Sequence, residues 1–89
     1  MKVLVDTMGV VLLEKNRRYG NSALALMRVF SKAAPHEGIL VRMDDQLSRI
    51  ANRKTERPRV NDLADLVGYC FLEMESQGVT RDDLLSLLD

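Results

Sequence analysis

Aromatic residues and cysteine are scarce in this chain: its 89 residues include two Phe, two Tyr, no Trp, one Cys and two Pro. Each scarcity excludes something. The single Cys70 excludes an internal disulfide, and its neighbours Val67, Phe71 and Met74 mark it as a core residue rather than a reactive thiol. No apolar run reaches the roughly 18 residues of a membrane-spanning helix. The opening Met1-Lys2-Val3-Leu4-Val5 is broken at once by Asp6, with no small-residue cleavage site of a secretory leader. A soluble cytoplasmic protein is the expectation. The chain also lacks a glycine-rich phosphate loop, a nucleophile elbow and zinc-ligand spacing, and its one histidine, His36, follows Pro35 in what reads as a surface loop.

There is no excess charge of either sign, with 13 basic and 13 acidic residues. Their distribution is uneven. Up to Arg59 there are twelve basic and six acidic residues, and from Val60 onward one basic and seven acidic. Such asymmetry arises when two parts of a chain pack on each other, or when a phosphate and a cation meet between them. The acidic second part leaves no continuous basic face for nucleic acid.

What is abundant is aliphatic: 46% of residues are hydrophobic although few are aromatic, so Leu, Val, Ile, Ala and Met must build the core. This composition suits packed helices. A chain of this length is a single domain, residues 1–89, near the size at which burial only just offsets chain entropy, and so self-association is expected.

Punctuation at Gly20-Asn21, Pro35 to Gly38, Thr55 to Pro58, and Gly78 divides the chain into four or five helical stretches. The first runs from about Asp6 to Arg18, its last turn basic as the helix dipole favours, with Gly20 as its stop. Ser22 caps a second stretch through about Lys32, with Leu24, Met27 and Phe30 at helical spacing. The third, Ile39 to Arg53, puts Ile39, Met43, Leu47 and Ile50 on one stripe and Arg42, Asp45, Arg49 and Asn52 on another. The fourth opens after Pro58 with Asn61 as cap and ends before Gly78. It is expected to bury Leu63, Leu66, Val67, Cys70, Phe71 and Met74 and to present Asp62, Asp65, Tyr69 and Glu73 on its other face. Thr80 and Asp83 spell a capping box, with Val79 and Leu84 as its hydrophobic staple. The terminal Leu84, Leu85, Leu87 and Leu88 either seal the core or meet another subunit. Met1 to Val5 is too short to build a sheet alone, so the fold class is all-α, a small helical bundle.

Three segments carry residues suited to a nucleotide. Lys15 and Arg18 can reach a phosphate, Tyr19 can stack on a base, and Asn21 can read a base or ribose edge. Arg42 and Arg49 offer guanidinium groups for phosphate oxygens, or ion pairs with the acids on their own helix. Asp62 and Asp65, three apart, project from neighbouring points of one helix, and with Asp45 or Glu14 from a facing helix they could hold magnesium through oxygen ligands. Acids in a first helical turn also interact well with the dipole without any ligand.

These strings together resemble the nucleotide modification associated domain of phage proteins, a relative of the all-alpha nucleoside triphosphate pyrophosphatases that include MazG. The resemblance rests on Glu14-Lys15-Asn16 with Tyr19-Gly20-Asn21-Ser22, on Gly38-Ile39 to Arg42 with Asp44-Asp45 and Leu47-Ser48-Arg49, and on Asp62 with Asp65-Leu66 and Gly68-Tyr69. It implies an oligomeric helical bundle that binds a nucleotide between helices, with Asp62 and Asp65 as an ExxD-like magnesium pair. The pattern departs where Ser48 follows Asp45 in place of a second acid, where Gln46 stands for an expected lysine, and where Asn61 stands for an acid. Three functions follow as expectations: a magnesium-dependent nucleotide pyrophosphatase, a non-catalytic phage protein that sequesters a nucleotide or cyclic nucleotide signal against host defence, and a protein interaction module without ligand.

Overall fold

The computed structural model describes residues 1–19 and 35–89; of Tyr19, Pro35 and His36 it describes the backbone alone. The expected second helix, its Ser22 cap, the Gly20 stop and the candidate ligand Asn21 lie outside the described residues. Among the described residues the structure is all-α, with no strand: α1 (Lys2–Tyr19), α2 (Pro35–Ala51), α3 (Val60–Ser76), α4 (Arg81–Leu85) and a 3-10 turn over Ser86–Leu88. None of these helices is long and apolar enough to cross a membrane.

The starts of α1 and α2, like that of α3 below, differ from the sequence reading. Helix α1 takes in Val3, Leu4 and Val5, the β-branched character of the two valines being overridden by continuity with the helix that follows. Helix α2 begins at Pro35, where a missing N–H costs nothing and the fixed φ suits a first turn, so His36 belongs to a helix rather than a loop.

Helices α2 and α3 pack along their lengths as a hairpin. The loop between them is drawn back onto the end of α2: Arg53 donates from Nη1 to the Ile50 carbonyl at 2.8 Å and from Nη2 to the Glu56 carbonyl at 3.2 Å. Asn52 Nδ2 also donates to the Ser48 carbonyl at 2.9 Å. The bond to Ile50 satisfies a carbonyl that the helix end leaves open, and the Asn52 side chain adds to the bond that its own backbone N–H makes to Ser48. Helix α3 is capped by Arg59, which makes no side-chain capping bond, rather than by Asn61. Gly78 then takes a φ of 71°, a left-handed conformation that glycine adopts at little cost.

The capping box at α4 is complete. Asp83 N donates to Thr80 Oγ1 at 3.2 Å, and Thr80 N donates to Asp83 Oδ2 at 2.8 Å.

The seam between α2 and α3 keeps Ile39, Met43 and Ile50 of the expected apolar stripe and departs from it at one position. Ile39 is buried, but Leu47 is half exposed, and the neighbouring Gln46 is buried in its place. The inward row of α2 is therefore Gly38-Ile39, Met43, Gln46 and Ile50. On α3, Leu63, Val67 and Phe71 are exposed, whereas Asp62 is buried and Asp65, Tyr69 and Glu73 are half-buried. Leu66, Cys70 and Met74, expected in the core, are half-buried too, so the inward side of α3 combines the acidic row with part of the expected apolar one.

Candidate functional site

Helix α1 lies against α3 through two contacts. Leu12 Cδ2 stands 3.1 Å from where a Cβ on Gly68 would sit, and Lys15 Nζ is 3.5 Å from Asp65 Oδ1. Position 12 faces 68 and position 15 faces 65, so the two helices run antiparallel. Between α1, α2, α3 and α4 opens a groove of about 1200 Å³. Its apolar walls come from Met8 and Leu12 of α1, Phe71, Leu72 and Met74 of α3, and Val79 and Leu84 at the fourth helix. The same groove carries Lys15, Asn16, Arg42, Asp65 and Tyr69, contributed by three helices.

The chemistry of this polar group is mixed. Lys15 and Arg42 are cations, Asn16 both donates and accepts, Tyr69 offers a ring face and a hydroxyl, and Asp65 is an acid that Lys15 partly neutralises. Arg42 makes no ion pair among the described residues, so its guanidinium is open to an anion.

A second hollow, of about 450 Å³, lies at the turn between α2 and α3 and is lined by Arg49, Asn52, Arg53, Lys54, Thr55, Arg59 and Asp62. Arg53 is committed to the loop carbonyls. Asp62, 5% exposed, forms its floor.

The predicted ligand residues thus divide. Lys15 and Arg42 share the groove, while Arg49 lines the second hollow. Arg18 is held at the end of α1, donating from Nε to Glu14 Oε1 at 3.0 Å, and Arg17 donates to both oxygens of the same carboxylate at 3.0 and 2.7 Å. These bonds, with Arg17 the larger influence, hold the Glu14 carboxyl below its ordinary pKa. The side chain of Tyr19 lies outside the described residues.

The predicted magnesium ligands divide as well. Asp65 faces the groove, Asp62 the second hollow, and Asp45 is exposed and lines neither. Among the described residues no group of three or more His, Cys, Asp or Glu is placed to hold a metal ion. The donor set of Asp45, Asp62 and Asp65 therefore does not fit a shared magnesium.

Asn16 and Tyr69 enter the site although the sequence reading gave neither a ligand role. Asn16 follows Lys15 directly, and Tyr69 was already placed on the same α3 face as Asp65. Two buried oxygens, Gln46 Oε1 and Glu73 Oε2, have no hydrogen-bond partner among the described residues, a polar cost to the fold. No family model, curated protein or solved structure matches this chain.

Proposed function

We propose that the chain binds a phosphorylated nucleotide in the groove and holds it without hydrolysis. The observation that carries this reading is the convergence of Lys15, Asn16, Arg42, Asp65 and Tyr69 from three helices on one apolar groove. Lys15 and Arg42 would take the phosphates, and the base would lie against the aliphatic walls beside Tyr69, with Asn16 available to its polar edge. Hydrolysis of the pyrophosphatase type needs carboxylates gathered around a metal that activates water. The separation of Asp62 from Asp65 into two hollows favours sequestration over turnover.

Thermal unfolding against nucleoside triphosphates and cyclic nucleotides, with and without magnesium, tests this directly. A ligand that binds only the folded chain stabilises it by about 2.7 kcal/mol at a hundred times its Kd. The expected result is a raised Tm and recovery of the ligand intact by chromatography. Release of a monophosphate and pyrophosphate would overturn the sequestering role, and no shift across the panel would overturn nucleotide binding itself.

The terminal turn favours a second reading, an interaction module without ligand. Leu87 and Leu88 stand exposed there beyond what a lone surface turn needs.

A further inference from the structure

We propose that the hollow at the turn between α2 and α3 is a second ligand site, one that takes a small sugar phosphate. The proposal does not rest on the nucleotide reading, and the hollow and the groove share no lining residue.

The cations of the hollow define one half of the ligand. Arg49, Arg53, Lys54 and Arg59 line it against one acid, Asp62, a net of three positive charges. Arg53 is spent on the Ile50 and Glu56 carbonyls. Arg49, Lys54 and Arg59 make no ion pair among the described residues, and residues 20–34 contain no Asp or Glu that could neutralise them. Arg59 caps α3 without a side-chain bond, so the positive end of the helix dipole adds to the same charge. Two guanidinium groups and an ammonium around one hollow are the donors that a phosphate takes.

Asp62 defines the other half. Its side chain is 5% exposed and makes no hydrogen bond or ion pair among the described residues. The unpartnered oxygens sealed from solvent there are those of Gln46 and Glu73, whereas the Asp62 carboxylate opens on the hollow that it lines. A buried carboxylate without donors costs stability, which a ligand that donates to it would recover. A bare phosphate dianion supplies no donor and is repelled. An ammonium group or a metal ion is disfavoured by the surrounding cations. Neutral hydroxyl groups meet the carboxylate with neither penalty. Asn52 spends its Nδ2 on the Ser48 carbonyl and hydroxyl, at 2.9 and 3.2 Å, which leaves Oδ1 as a second acceptor. The hollow, at about 450 Å³, falls within the roughly 300 to 1,000 Å³ of small-molecule sites. A phosphate on the cations with a diol on the carboxylate describes a pentose phosphate, free or as part of a nucleoside monophosphate.

Calorimetric titration of the full chain with ribose 5-phosphate, inorganic phosphate and ribose is the test. Ribose 5-phosphate should bind about tenfold or more tighter than inorganic phosphate, since the charge-assisted bonds to Asp62 are made by the sugar alone. Arg49→Ala with Arg59→Ala, both at exposed positions, should weaken it by about tenfold or more, whereas Lys15→Ala with Arg42→Ala should leave it unchanged. Asp62→Asn should cut the preference for the sugar phosphate about tenfold while inorganic phosphate binds no more weakly, a change that unfolding cannot give. Adenosine monophosphate separates the sources: binding tighter than that of ribose 5-phosphate and lost with Arg49 and Arg59 points to a nucleotide, and weaker binding to the free sugar phosphate.

Equal affinity for inorganic phosphate and ribose 5-phosphate would overturn the proposal, leaving an adventitious anion site only, as would a Kd for ribose 5-phosphate above about 10 mM. Binding lost in the Lys15 and Arg42 variant and kept in the Arg49 and Arg59 variant would assign the ligand to the groove and overturn it equally.

Discussion

Lys15 of α1 stands 3.5 Å from Asp65 of α3, an ion pair that bridges two helices where those of Lys2, Arg17 and Arg18 stay within α1. With the lysine half exposed, the pair contributes about 0 to 1 kcal/mol to stability, so its position matters more than its strength. In a groove that takes phosphate, Asp65 competes with the ligand for Lys15. Asp65→Asn should then tighten anion binding, by on the order of 1 kcal/mol or roughly fivefold, while Lys15→Ala weakens it. Calorimetric titration with a stabilising nucleotide reads both. A pyrophosphatase that used Asp65 to hold metal would respond the other way, with magnesium-dependent affinity and turnover lost in Asp65→Asn.

Gly68 sets how closely α1 approaches α3. A methyl there would meet Leu12 Cδ2 at 3.1 Å, the far end of a flexible side chain that borders the open groove. Gly68→Ala should therefore keep most of the roughly 1 kcal/mol that alanine gains over glycine within a helix. Gly68→Leu has no such escape and should push α1 away, costing about 1 to 3 kcal/mol and parting Lys15 from Asp65. Denaturant unfolding of the two variants, with amide exchange along α1, checks this; a leucine variant as stable as the alanine one would refute the close approach.

Local signals were legible in the sequence, and signals that depend on how helices rotate against each other were not. The Thr80–Asp83 box and the Gly78 stop are written in residues within a few positions of each other, and both occur as read. The seam of α2 was read rightly at Ile39, Met43 and Ile50 and wrongly at one position. Periodicity counts apolar positions, and so it selected Leu47 and could not see that packing against α3 would bury Gln46. The same rotation carried Asp62 inward and Phe71 outward. For the site, Lys15 and Arg42 were legible as cations, whereas their meeting with Asp65 in one groove required the antiparallel crossing of α1 and α3. The diversion of Arg18 was readable, since Glu14 stands four residues before it on the same face.

Gln46 gives a stability prediction of unusual sign. Its side chain is 6% exposed, and Oε1 has no hydrogen-bond partner among the described residues. Leaving a buried acceptor unsatisfied costs about 1 to 3 kcal/mol, whereas an apolar group of like shape avoids the loss. Gln46→Met should be neutral or stabilising by about 1 kcal/mol, read as a higher denaturation midpoint at unchanged slope. A loss exceeding 1 kcal/mol would show that the carboxamide is used in the folded protein.

The cap of α4 should respond to acid with a definite sign. Hydrogen bonds from the Thr80 backbone, and then from its side chain, hold the Asp83 carboxyl below its ordinary pKa. A carboxylate whose folded pKa is depressed contributes stability that is fully present above the unfolded value, near pH 3.9, and lost as pH falls through the folded value. Protonation replaces the charged acceptor for Thr80 N–H, bonded at 2.8 Å, with a weaker neutral one, so the helix over Arg81–Leu85 should begin to fray below about pH 4. Chemical shifts of the Thr80 and Asp83 amides followed from pH 6 to pH 2 measure this. In Thr80→Ala the Asp83 midpoint should rise toward the ordinary value, because the side-chain part of the box is gone. An unmoved midpoint would mean that the backbone bond alone sets it.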